Sequence, residues 1–325
     1  MADFRMLIRQ TGGPEAIERE TIAPTEPGRG EARVRQTAIG LNFIDIYHRS
    51  GLYPLDLPAG LGSEAAGVVE AIGDGVEDVK VGDRVAYSGG PPGAYATVRT
   101  LDAGLLVSLP DAISDETAAA AMLKGTTAAY LIGPCARVEA GQAVLVHAAA
   151  GGVGSILVQW LTAIGATVIA HAGTAEKAEQ AKSSGAAHVL SCPMDQLAGA
   201  VRRLTDGAGV ATVFDGIGKA SWEASLGAIA RRGLIASYGN ASGAVPALEM
   251  LALMRAGSIF VTRPTMGDYT STPQERRALA AQLFEKIVAS DVSIRIGQHF
   301  QLSQAGEAQR AMASRETTGS TILHP

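Results

Sequence analysis

Between Gln142 and Ala175 the sequence carries no Asp, Glu, Lys or Arg. A stretch this apolar must be buried, in a bilayer or inside a fold. Its internal order argues against the bilayer. AVLVHA (143–148) is short and β-branched, and AAGGVG then breaks it. SILVQWLTAIG has the length of a helix, and ATVIAHA is strand-like again. A strand covered by helices on both faces reads as a continuous apolar run. The segment is therefore predicted to be strand, glycine turn, helix and strand, a βαβ unit.

The same alternation runs from about 141 to 262. AVLVHA, ATVIAHA, HVLSC (188–192), ATVFDGI (211–217), LIASYG (234–239) and SIFVTR (258–263) are six candidate strands. Helical stretches such as 175–185 and 220–233 lie between them. Alternating β and α predicts a parallel sheet with helices on both faces, a doubly wound α/β fold. Residues 1–110 differ. Segments 31–40, 64–73 and 83–89 read as short strands separated by Gly and Pro. A helix is expected over 114–132, with a possible break near Gly125. The tail predicts helices over 272–291 and 301–317 and a last strand at STILHP.

At 325 residues the chain is long enough for two domains of roughly 100–200 residues each. The β-rich start needs the tail to close. The expected arrangement is a discontinuous domain, 1–124 plus 263–325, with the doubly wound domain, 125–262, inserted. Hydrophobic residues at 47% and charged residues at 18% exclude a disordered chain. A net charge of −5 without a basic tract argues against nucleic acid. Two cysteines, Cys135 and Cys192, exclude a disulfide framework and an all-cysteine zinc site. The opening residues lack the apolar core of a signal peptide. A soluble cytoplasmic protein is expected.

Gly151 and Gly154 match the last two glycines of G-x-G-x-x-G, with Ala149 in the first place. Gly151 lets the backbone approach a pyrophosphate, and Gly154 lets the helix pack near the strand. The N–H groups of Gly152 and Val153 are then available to phosphate at the positive end of a helix. An NAD site usually has an acid about 20 residues on, for the ribose 2′-OH. Here the second strand ends Ala170-His171-Ala172-Gly173-Thr174, and Lys177 follows. The missing carboxylate removes repulsion against a 2′-phosphate, and Lys177 can pair with one, which favours NADPH. The plain alternative is a solvated surface lysine tempered by Glu176 and Glu179.

Several segments carry a family resemblance. They are AIGLNFIDIYHRSGLYP (38–54), LPAGLGSEAAGVVEAIGDGV (57–76), VGDRVAY (81–87), LKGTTAAYL (123–131), GQAVLVHAAAGGVGSILVQ (141–159), YGNASGAV (238–245) and VTRP (261–264). Together they resemble the zinc-free, zeta-crystallin-like quinone oxidoreductases of the medium-chain dehydrogenase/reductase superfamily, nearest to the bacterial NADPH:quinone enzymes. The resemblance covers nearly the whole chain. It implies a Rossmann-type six-stranded sheet inserted in a β-rich, GroES-like barrel domain. Zinc-dependent relatives carry Cys where this chain has Asn42, and His where it has Ser63 before Glu64. Amide and hydroxyl are poor zinc ligands, so no metal site is expected. Without a Lewis acid, simple alcohols become poor substrates, whereas quinones and conjugated carbonyls are already electron-poor.

The resemblance implies that Asn42, Phe43 and Tyr47 lie near the nicotinamide. Tyr47 and Tyr53 can form an aromatic wall for a flat acceptor, or be packing residues of a β-rich domain. Lys124, with Thr127, sits where the domains should meet. The lysine can steer NADPH or stabilise a reduced oxygen, or else cap a helix or pair with Glu64. Gly216 and Gly218 end the fourth strand of the cofactor domain. Tyr238, Gly239 and Asn240 end the fifth. Ligands in such folds lie beyond the carboxyl ends of the strands, so these five are expected contacts. Arg263 and Arg315 match arginines used near the cofactor, Arg315 toward the 2′-phosphate; salt-bridged or solvated roles are the alternative. Relatives often carry Tyr where this chain has Cys192, and a thiol is a poor phosphate partner. The expected activity is NADPH-dependent quinone reduction in the interdomain cleft. Alternatives are reduction of a conjugated double bond (an enone or alkenal), or NADPH binding without catalysis. A homodimer through the strand near residues 258–264 is implied as well.

Overall fold

The computed structural model describes residues 2–314 and 317–325. Two compact units divide the chain. The first comprises Met1–Thr126, Tyr269–Val288 and Ile294–Pro325; the second comprises Thr127–Asp268 and Ala289–Ser293.

The first unit opens with strands β1 (Phe4–Ile8), β2 (Ile17–Thr21) and β3 (Glu31–Leu41), then helix α1 (Phe43–Ser50). Strands β4 (Ala59–Gly60), β5 (Glu64–Ile72), β6 (Arg84–Ser88), β7 (Val98–Asp102) and β8 (Val107–Ser108) follow. Helix α2 (Asp115–Tyr130) runs past the division at Thr126.

The second unit carries β9 (Ala143–Val146), α3 (Gly152–Ala163), β10 (Thr167–His171), α4 (Ala175–Ser183), β11 (His188–Leu190) and α5 (Met194–Leu204). It continues through β12 (Val210–Asp215), α6 (Trp222–Ala228), β13 (Ile229–Ser237), α7 (Met250–Arg255), β14 (Phe260–Thr262) and α8 (Met266–Tyr269). The tail adds α9 (Pro273–Val288), β15 (Ile296–Gln301), α10 (Ala305–Ala313) and β16 (Ser320–His324).

The second unit's six strands are parallel, in the order β11-β10-β9-β12-β13-β14. Counted along the chain this is the order 3-2-1-4-5-6 of the doubly wound dinucleotide fold, reversing direction between β9 and β12. The charge-free segment supplies the central strand. Val144, Leu145 and Val146 are fully buried, each stabilising the sheet by about 1.5–3 kcal/mol. The core between sheet and helices includes Leu145, Ile169, Val213, Ile235, Leu197 and Trp222.

The first unit is built on an antiparallel sheet, β2-β1-β4, and a mixed sheet, β15-β16-β3-β5-β6-β8, in which only β15 and β16 run parallel and β7 also pairs with β3. β16 lies antiparallel to β3, with Leu323 opposite Ile39. The end of the chain therefore completes the sheet begun near its start. Tyr87, Tyr95, Ile39, Leu41 and Leu323 lie in its core.

Two local expectations need correction. The helix expected over 220–233 stops at Ala228, and Ile229 already begins β13. The buried side chains Ile229, Ile235 and Ala236 hold that segment in the sheet. Gly125 does not break α2. A Cβ there would stand 2.4 Å from the Leu283 side chain, so the glycine marks a close approach of α9. Among the described residues, no helix is long and apolar enough to cross a membrane.

Candidate functional site

In the first unit, Asn42 ends β3's run and caps α1. Its backbone N–H donates to the Asp45 carboxylate at 2.9 Å, one half of a capping box. The Asn42 side-chain amide donates to Glu64 Oε1 at 2.7 Å. Lys124 Nζ lies 3.1 Å from the same oxygen, and the Leu123 N–H donates to Glu64 Oε2 at 2.6 Å. Glu64 is wholly buried and Lys124 nearly so, making this a desolvated ion pair completed by hydrogen bonds. One step away, Ser63 Oγ donates to Asp45 Oδ1 at 2.8 Å and the Tyr95 hydroxyl to Asp45 Oδ2 at 3.0 Å. Burial dominates at Asp45 and pushes its carboxyl up to about 6, with the nearby Glu64 charge adding to the rise.

Tyr47 lies on α1 and Tyr53 just beyond it, both half-buried. Their rings meet edge to face at 5.3 Å. Asn42, Tyr47 and Tyr53 are thus gathered on and around one helix, and Lys124 joins Asn42 through Glu64. Thr127, half-buried, lies on the same α2 that carries Lys124.

In the second unit the candidates gather at the carboxyl ends of the parallel strands. Gly151 is the N-cap of α3 and contributes no side-chain acceptor, leaving the first-turn N–H groups of Gly152 and Val153 without a capping side chain. Gly151 and Gly152 are exposed. At Gly154, a Cβ would sit 2.3 Å from the Ala148 carbonyl oxygen, so glycine is required where α3 leaves the turn. These free donors at the positive end of a helix suit a pyrophosphate.

β10 ends at His171, and Ala172 and Gly173 follow. Thr174 caps α4, its Oγ1 accepting from the Lys177 backbone N–H at 3.3 Å. Gly173, Thr174 and Lys177 are all exposed. Among the described residues the strand end itself carries no carboxylate, and Glu176 follows in the first turn of α4 beside Lys177.

Gly216 and Gly218 follow β12; Tyr238, Gly239 and Asn240 follow β13. These two loops touch. A Cβ on Gly239 would stand 2.5 Å from the Gly216 carbonyl oxygen, and one on Gly216 would stand 2.9 Å from the Tyr238 ring. Gly218 has a positive φ of 89°. Its N–H donates to the buried Asp215 carboxylate, which also takes the Ile217 N–H, Ser221 Oγ and Ser225 Oγ. Ser225 Oγ in turn lies 3.0 Å from His147 Nε2. Burial lowers the pKa of His147. Arg263, just after β14, donates to the Ser237 carbonyl at 3.1 Å. Arg315 lies outside the described residues. Cys192 is a free thiol, and its carbonyl lies 3.1 Å from His171 Nε2.

Sequence reasoning passed over Asp45, Asp215 and His147. Asn42-x-x-Asp45 carried a readable capping signal. Asp215, a lone acid ending an apolar strand, was the other available clue. A hollow of about 450 Å³ in the first unit is lined by Arg5, Arg33 and Arg99 and by none of the candidate residues.

Comparison with known proteins places this geometry in a family. The family profile described as "Zinc-binding dehydrogenase" matches residues 152–286, and "Alcohol dehydrogenase GroES-like domain" matches residues 28–111. A quinone oxidoreductase of Pseudomonas aeruginosa is 49% identical over 322 residues, spanning 99% of both chains. A 2-haloacrylate reductase from a Burkholderia species is 40% identical, spanning 98% of both. The structure of Escherichia coli quinone oxidoreductase complexed with NADPH superposes with a TM-score of 0.95 at 41% identity, covering 99% of this chain and 100% of that one.

The zinc in the profile's description does not fit Asn42 and Ser63. Neither offers thiolate, imidazole or carboxylate, and both spend their donors on Glu64 and Asp45. Identity along the full chain, a matching superposition and the 3-2-1-4-5-6 sheet agree: the chain is an oxidoreductase belonging to the quinone oxidoreductase family of the medium-chain dehydrogenase/reductase superfamily.

Proposed function

We propose that this protein reduces quinones with NADPH and without zinc. One observation carries the reading. The turn before α3 offers uncapped N–H groups at Gly152 and Val153, while the neighbouring strand end has Gly173, Thr174 and Lys177 in place of a carboxylate. That donor set accepts a pyrophosphate and leaves room and positive charge for a 2′-phosphate. Arg315 is a second proposed partner for that phosphate.

In this reading, residues 125–262 hold the dinucleotide, and residues 1–124 plus 263–325 receive the acceptor. The bound nicotinamide supplies the reducing equivalents. Gly216, Gly218, Tyr238, Gly239 and Asn240 position it, together with Asn42, Thr127 and Arg263. Tyr47 and Tyr53 hold the flat acceptor, and the protein contributes alignment and exclusion of water. Lys124 is placed with the catalytic group as an electrostatic support for the reduced oxygen. We further propose a cytoplasmic enzyme that pairs with a second copy through the strand near residues 258–264.

The test is NADPH oxidation with p-benzoquinone or phenanthrenequinone after dialysis against a chelator, with NADH in parallel. Turnover that survives chelation and strongly prefers NADPH supports the reading. Lys177→Ala should raise the KM for NADPH by about tenfold, in line with the roughly 1.5–3 kcal/mol of a charge-assisted contact, and leave that for NADH unchanged. Loss of turnover after chelation overturns the zinc-free claim. A second reading, reduction of a conjugated double bond, is favoured by the 40% identity to a 2-haloacrylate reductase. Faster turnover on 2-haloacrylate or an enone than on either quinone would decide for it.

A further inference from the structure

Three side chains of the first unit, outside the groups assigned above, bring ligand atoms together. Glu116 lies in the first turn of α2, His299 in β15, and His324 at the end of β16. One ligand atom from each lies within 4.8 Å of the other two. His299 Nδ1 faces His324 Nε2 at 3.0 Å, with the rings nearly parallel at 13° and their centroids 5.2 Å apart. His324 Nε2 stands 3.7 Å from Glu116 Oε1.

A tetrahedral zinc ion with bonds of about 2.0–2.1 Å sets its ligand atoms roughly 3.3 Å apart. The separations of 3.0 and 3.7 Å fall on either side of that spacing. Two imidazoles and a carboxylate form a donor set that zinc and its neighbours accept, with a fourth position for water. Water has access, because His299 is exposed and the Glu116 side chain is 44% exposed. Without an ion, the facing nitrogens can only share a proton, one donating and the other accepting. With an ion, each neutral imidazole keeps its hydrogen on the far nitrogen. A neutral pair then only changes tautomer, and a protonated ring gives up its proton to solvent.

We propose that Glu116, His299 and His324 bind one divalent transition-metal cation of the zinc class, clipping the last strand to β15 and α2. The three ligands come from segments far apart in sequence, so the site exists only in the folded chain. An ion bound there stabilises the fold by mass action. None of the three is among the residues proposed for cofactor and acceptor, so turnover should not depend on it.

The experiment uses the full chain, dialysed against a chelator. Thermal unfolding is followed with added zinc, with added magnesium, and with neither. Zinc should raise the midpoint where the same concentration of magnesium does not. His299→Gln changes an exposed side chain and should leave the metal-free midpoint and quinone turnover unchanged. It should weaken zinc binding, read by competition with a chromophoric chelator, by at least the roughly 10–100-fold seen for loss of a ligand's supporting contact. Glu116→Gln should weaken it in the same direction. Cobalt should give the visible bands of a tetrahedral nitrogen–oxygen site without thiolate charge transfer. Equal zinc binding in the parent and His299→Gln overturns the site. So does a thiolate band, which would move the ion to Cys135 or Cys192. No zinc response at all would leave a shared proton as the pair's only occupant and also overturn it.

Discussion

Asp45 is a fully buried side chain whose ionisation this fold resists. Its carboxyl rises from 3.8 to about 6, chiefly through burial. Between those two values the folded chain binds a proton that the unfolded chain has released. Stability therefore falls as pH rises through that window, and the full cost is present above about 6. The ceiling on that cost is about 3 kcal/mol. Asp45→Asn keeps an acceptor for the Asn42 N–H and removes the ionisation. Melting both proteins from pH about 4 to about 7 should show the parent losing ground to the variant as pH rises. A gap that stays constant with pH would remove Asp45 as its source. Lys124 belongs to the same buried network. Lys124→Met strands the Glu64 charge and should cost about 3–5 kcal/mol, and adding Glu64→Gln should recover much of that. A melt of unchanged midpoint for the single variant would show that the pair contributes nothing to stability. The residue types at 42 and 63 were legible as poor zinc donors from chemistry alone. Their hydrogen bonds were not, because Asn42 meets Glu64 across 22 positions and Ser63 meets Asp45 across 18. Only the folded sheets bring those pairs together.

The βα turns test the elements that present the cofactor residues. Gly154, in the first turn of α3, and Gly173, in the turn after β10, are glycines for different physical reasons. A Cβ at 154 would meet backbone, the Ala148 carbonyl oxygen at 2.3 Å and the Ala149 Cα at 3.0 Å. Backbone cannot step aside as a side chain can, so Gly154→Ala should lower stability by about 1–3 kcal/mol, the range for overpacked sites. A Cβ at 173 meets nothing within 4 Å. Gly173→Ala should leave the melting midpoint unchanged and raise the KM for NADPH if a ribose phosphate comes close there. An unchanged KM would remove Gly173 from the cofactor's surroundings. The parallel strands were legible because continuous apolar runs bounded by Gly turns have few other uses. The helix α1 was not singled out as a helix, since its eight residues read first as part of a longer motif. The boundary at Ala228–Ile229 was missed because AIARRG supports a helical period as well as a strand, and only pairing with β12 decides.

At the scale of the molecule, the parallel sheet ends at β14, which among the described residues pairs with β13 and with no other strand. An unpaired edge exposes backbone donors and acceptors to any strand that approaches. This edge is also apolar: Phe260 is 61% exposed, and Met250, Leu251 and Met254 of neighbouring α7 are exposed too. A second copy is the occupant that fits both features, because a two-fold axis lets one edge pair with itself and covers both apolar faces at once. The prediction is a dimer in solution, with β14 of each copy at its centre. Phe260→Lys places a charge on the pairing edge, where its desolvation opposes association. Light scattering after gel filtration should show the parent at twice the chain mass and the variant at the chain mass. Each unit keeps its own core, so the variant should retain its secondary structure and still bind NADPH. A parent that runs as a monomer at micromolar concentration would remove the dimer altogether. A variant that remains dimeric would instead move the interface off this edge.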